Sequence, residues 1–262
     1  MESRNPAFRG QNFRQRAGAY SGYGAPETLP GGPAYAPSRP MTLDDVVVRG
    51  FFTLGTLVVA AALTWALVPT ASAAPVLVVA TIAELGIWAF ITFGRKANAP
   101  LVLAFAAVYG IVVGVLSHAY NDLYHGIAFQ AVVGTALAFG ATLAVHALRI
   151  VRVTPRFVRF VVAAGFGLMG LMIVDLLVSA FGGDSGIGIR DASSPLAYVF
   201  SVVAILVGCF FLLLDFDTIE RGVAERAPEN FAWYCAFGLT LSLVWIYLEL
   251  LRFLSYFAGG RN

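Results

Sequence analysis

Charge is scarce in this chain. Only 12% of its 262 residues are Asp, Glu, Lys or Arg, about half of the roughly 25% typical of a soluble domain. Lysine is nearly absent: of seventeen basic residues only Lys96 is a lysine. The last apolar segment has none, which excludes a retinal-binding protein of seven helices. Cysteine is limited to Cys209 and Cys235, both in or beside apolar runs. They read as buried small hydrophobes, and two such residues exclude a disulfide framework. HExxH is missing, as is any Cys or His cluster at ligand spacing, so neither a metal nor a cofactor is expected. In "FGGDSG", Phe181 stands where a glycine-aspartate intramembrane protease needs its first glycine. With no nucleophile-base arrangement either, the chain is not expected to be an enzyme. A net charge of +2 is too small to call for nucleic acid.

Apolar residues are what the chain has in abundance. They make up 59% of it, with a mean hydropathy of +0.79, and they fall in long runs. That combination implies an all-α, polytopic integral membrane protein whose partner is the lipid bilayer. At about 20 apolar residues per span, seven segments qualify: 48–69, 75–94, 100–118, 126–148, 159–181, 196–217 and 231–257. Residues 1–40, including "SGYGAPETLPGGPAYAPSRP", are rich in Gly and Pro without apolar periodicity, and are expected to be a disordered tail. No apolar core follows their early arginines, so they do not resemble a signal peptide. The membrane domain is expected over 41–258, with a short end at 259–262. Thr42 is positioned to cap the first helix, with Asp44 and Asp45 in its first turn.

The arginines alternate. Arg4, Arg9, Arg14, Arg16, Arg39 and Arg49 precede or open the first span; Arg95 and Lys96 follow the second; Arg149, Arg152, Arg156 and Arg159 follow the fourth; Arg221 and Arg226 follow the sixth. The other connections are poor in positive charge. The positive-inside rule then predicts a plasma (inner) membrane protein with a cytoplasmic tail and an extracytoplasmic carboxyl end. An even number of spans would break this alternation. Gly110 and Gly114, and Gly134 and Ala138, repeat small residues at four-residue spacing, which suits close helix packing.

Ionisable groups within spans are functional candidates. Glu84 lies mid-way along the second span, Asp175 and Glu249 in the outer halves of the fifth and seventh, and Asp215 in the inner part of the sixth. Together they could form a ladder of acids for a cation or proton. Alternatively, each pairs with an arginine or a hydroxyl and only fixes packing; Arg252, three residues beyond Glu249, is such a partner. In "LLLDFDTIERG", Asp215 and Asp217 point about 200° apart on a helix. Asp217 has Arg221 four residues on and is expected to end the helix as an ion pair. Asp215 shares its face with Phe211, Leu212 and Ile219 and is expected to point inward. His146 is either a protonation switch or a hydrogen-bonded structural group. His118 and His125 are expected at the surface of an outer loop.

The sequence "LLLDFDTIERG", followed by "FGLTLSLVWIYLELLRFLSYF", resembles the closing helix pair of the Bax inhibitor family. "GIAFQAVVGTALAFG", with Gln130, Thr135 and Phe139, is similar to that family's fourth span, and "AELGIWAFITFGRKA" to its second. The resemblance covers roughly residues 45–257. It implies a seven-helix fold with the last helix central, and a pH-sensitive leak of calcium or other cations. It also implies an aspartate on each of the last two spans and a latch arginine on the second. The first aspartate falls on Asp215, the arginine on Arg95 and a mid-helix acid on Glu84. The second aspartate falls on Ser242, so two carboxylates cannot share a proton there. Glu249 lies on the same face two turns later, about 10 Å along the axis. Two readings follow: a cation (calcium or proton) leak channel or exchanger, or a non-transporting regulator, with a membrane protease as partner.

Overall fold

A computed structural model of the protein describes residues 39–69, 72–94, 97–182, 187–191 and 194–259. The expected tail up to residue 38 and the latch residue Arg95 lie outside these residues. The described residues form seven helices: α1 (Leu43–Leu67), α2 (Ala73–Gly94), α3 (Ala99–Leu123), α4 (Ile127–Ala147), α5 (Pro155–Gly182), α6 (Pro195–Ala224) and α7 (Phe231–Gly259). All seven are long and apolar enough to cross a membrane. Large side chains on the outside, such as Phe51, Phe93, Phe129 and Phe166, are exposed, as a lipid-facing surface requires.

Helix starts follow local chemistry. Thr42 caps α1 through a reciprocal box with Asp45. Asn98 accepts from the Leu101 amide to open α3, and Ser194 caps α6 ahead of Pro195. Two helices stop with an arginine at positive φ, Arg149 after α4 and Arg226 after α6, each at 53°. At both ends the same pair of backbone bonds closes the last turn, Arg149 N to His146 O with Ile150 N to Val145 O, and Arg226 N to Val223 O with Ala227 N to Gly222 O. This is the termination that glycine usually supplies.

Helix ends correct two expectations. α6 does not end at Asp217 but runs on to Ala224. A charged pair within a helix does not stop it; Ile219 and Gly222 are buried and keep it packed. α3 runs to Leu123, so His118 is not a loop group: it sits within the helix and stacks on Trp65 of α1, with ring centroids 5.3 Å apart.

The last helix is central. α7 packs against α1, α3, α4 and α6, whereas α2 packs chiefly on α3 and α5 on α6. Its polar side chains tie it to its neighbours. Tyr247 and Ser117 of α3 share a hydrogen bond of 2.7 Å, and Trp245 donates to the Ala204 carbonyl of α6 at 3.0 Å. Small residues set the spacings. A Cβ on Gly114 would lie 2.5 Å from the Ala61 carbonyl oxygen of α1, and one on Gly208 would lie 2.8 Å from Ile246 of α7. The first addition would force the α3 and α1 backbones apart, and the second would displace the Ile246 and Trp245 side chains. Some buried hydroxyls bond back to their own helices, Thr53 to Arg49 O and Thr240 to Ala236 O, which satisfies them in an apolar interior.

Candidate functional site

The arginine-bearing ends gather at one end of the bundle. His146 and Arg149 of α4 approach Glu220 of α6, at 3.3 and 3.7 Å. Arg221 of α6 pairs with Asp217 at 2.8 Å and lies 3.5 Å from the Val153 carbonyl before α5. Arg49 of α1 is buried, bonds both the carboxylate and the carbonyl of Glu229, and lies 5.3 Å over the ring of Trp233.

Asp215 stands further into the bundle, about 14 Å along α6 from Ala224. It faces α7, as the helical phase argued. Ser242 donates a hydrogen bond of 2.5 Å to its Oδ2. Its Oδ1 rests in a recess made by Gly238, where a Cβ would come within 2.8 Å of that oxygen. Cys235, Gly238 and Ser242 form one column on α7, at spacings of three and four residues. Leu212 and Phe216, either side of Asp215 in the chain, are buried with Cys235 and Ile246. The carboxylate is therefore an acceptor held in an apolar seam between the last two helices, with one hydroxyl donor among the described residues. The column was readable as small residues at helical spacing, but its partner lies across a helix interface that sequence spacing does not reveal.

The other acids are dispersed. Glu249 is buried and pairs through Oε1 with Arg252 at 2.7 Å, while its Oε2 has no hydrogen-bond partner. Asp175 is buried and accepts the Ile187 amide at 3.0 Å, beyond the end of α5. Glu84 is half-buried on α2. Among the described residues no hydrogen bond or ion pair joins any of these acids to another.

These features define a polytopic α-helical membrane protein whose last two helices meet through a carboxylate and a hydroxyl. The Bax inhibitor 1 like family model matches residues 5–259, and the chain belongs to that family. No curated protein is significantly similar to it in sequence.

Proposed function

We propose that the protein is a cation leak channel or exchanger, for calcium or protons, in which the α6–α7 seam is the gate and Asp215 its acid. The observation that carries this reading is the hydrogen bond between Ser242 and Asp215 in an otherwise apolar seam. A lone acid at such a depth is costly unless it serves a passing cation or a packing bond. Arg95, which follows α2 in the chain, is the proposed latch partner of Asp215. Glu84, Asp175 and Glu249 are proposed to attract cations along the bundle. The clustering of arginines at one end supports a cytoplasmic tail and placement in the plasma membrane. No catalytic role is proposed.

The test is calcium and proton flux into liposomes at several pH values. The wild type is expected to leak. Asp215→Asn removes the charge that holds the latch, and should raise the open population by roughly tenfold, the equivalent of losing one charge-assisted bond. Ser242→Asp places two carboxylates at one site and should make flux steeply acid-dependent, because the pair then shares a proton. A common flux-versus-pH curve for all three proteins would eliminate the gate. The regulator reading, with a membrane protease as partner, would then stand in its place.

A further inference from the structure

The segment before α1 is built into the fold in an unusual way. Met41 is buried among Leu212, Phe216, Ile219, Ala232 and Cys235, the apolar group that surrounds the Asp215 seam. A Cβ on Gly222 would come within 2.7 Å of the Met41 methyl group, so a larger residue at that position of α6 would push the end of that side chain aside. The backbone around Met41 is paired with the connection between α6 and α7. Met41 N donates to Ala227 O at 2.8 Å, Glu229 N donates to Arg39 O at 3.0 Å, and Pro40 faces Pro228 in an isolated antiparallel bridge.

Side chains fasten the same point. Glu229 receives Arg39 on one oxygen at 3.1 Å and Arg49 on the other. Arg39 also reaches Asp45 at 2.6 Å. One carboxylate thus joins the segment before α1, α1 itself and the connection that positions α7.

We propose that residues 39–41 are a releasable strap. Met41 plugs the tail-side end of the α6–α7 seam, and Glu229 is the clasp that keeps it seated. Release of the strap opens a water path to Cys235 and Asp215, and whatever engages the residues before Arg39 pulls on the plug directly. Several features fit a device rather than ordinary core packing. The contact is made by a short extended segment and not by a helix. It is fastened by two backbone bonds and one shared carboxylate. Its outermost member, Arg39, is 56% exposed, so the fastening can be undone from the water phase. The proposal does not depend on ion passage, because its readout is access to the seam.

The experiment uses the two native cysteines. Cys235 is buried in the plugged cluster, whereas Cys209 is only partly buried and packs against that cluster about 20 Å along α6 from Gly222. The full-length protein in detergent or liposomes is treated with a thiol-alkylating reagent, and the two rates are read by mass spectrometry. Glu229→Gln should speed Cys235 by about tenfold, the effect of losing a charged hydrogen bond, with Cys209 unchanged. Met41→Ala should act in the same direction. Arg39→Ala, at an exposed residue that leaves the bundle's interior intact, should give a smaller rise of about threefold, as for a partly exposed ion pair. Unchanged Cys235 rates in all three variants would overturn the strap. So would equal acceleration of both cysteines, since that reports general loosening of the bundle.

Discussion

Gly238→Ala isolates the recess that holds Asp215. The added methyl carbon would sit 2.8 Å from Asp215 Oδ1. A carbon and an oxygen rest at about 3.3 Å or more, so the carboxylate must retreat by roughly 0.5 Å. Aspartate has a short side chain, and this one is also held at its other oxygen by Ser242. It can withdraw only by loosening that bond or by moving α6 off α7. Overpacking of this kind costs about 1–3 kcal/mol, and the hydrogen bond adds about 1 kcal/mol. For a domain of this size, 1 kcal/mol corresponds to about 2–4 °C, so Gly238→Ala should lower the midpoint of thermal unfolding in detergent by roughly 4–16 °C. Ser242→Ala should lose the bond and leave the carboxylate without that donor, about 1–3 kcal/mol or roughly 2–12 °C. The decisive comparison is Gly238→Ala in an Asp215→Ala background. There the methyl group meets no oxygen, and the preference of helices for alanine over glycine makes the change neutral or favourable by up to about 1 kcal/mol. An equal loss in both backgrounds would show that the recess serves helix packing and not the carboxylate, and the reasoning about the site would fail with it.

Two further outcomes are expected. Arg226→Gly relieves a positive φ of 53° at the end of α6 and should raise stability by about 1 kcal/mol, read as a higher thermal midpoint; a lower midpoint would mean that the arginine side chain outweighs its backbone. In intact cells, an impermeant thiol reagent should label His125→Cys and spare Arg149→Cys, two exposed positions at opposite ends of the bundle; the reverse pattern would invert the proposed orientation.

Most of the fold was readable because membrane spans are written in local hydropathy. All seven spans overlap observed helices, and the Thr42 cap follows from nearest neighbours in the chain. Helix ends were read less well, because charges were taken as boundaries. Asp217 and Arg221 lie on the helix, whose actual stop is the backbone turn at Arg226. The inward direction of Asp215 came from phase alone, at about 100° per residue. What it meets there was not readable from composition. Ser242 entered through a family resemblance, and the Gly238 recess through neither route, since a glycine in a span has many possible reasons. Arg49 illustrates the same limit. Counted along the chain it is one more charge marking a membrane side, yet in the fold it is buried against Glu229 and Trp233.

The length of α6 bears on the membrane itself. Its 30 residues extend about 45 Å, against a hydrocarbon layer of about 30 Å. The stretch free of charge, from Pro195 to Leu214, covers about 30 Å by the same rise. Asp215 is the first residue past it. Bilayers differ in thickness by several ångströms, roughly 27 Å in thin membranes and 33 Å in sterol-rich ones. That difference equals about two to four residues of helix. If the charge-free stretch of α6 is what crosses the hydrocarbon, a thinner bilayer leaves Asp215 nearer the headgroups and a thicker one draws it further into oil. Lipid composition thereby becomes a variable acting on this carboxylate, through a helix whose apolar length matches the average membrane and has no margin on the acid's side.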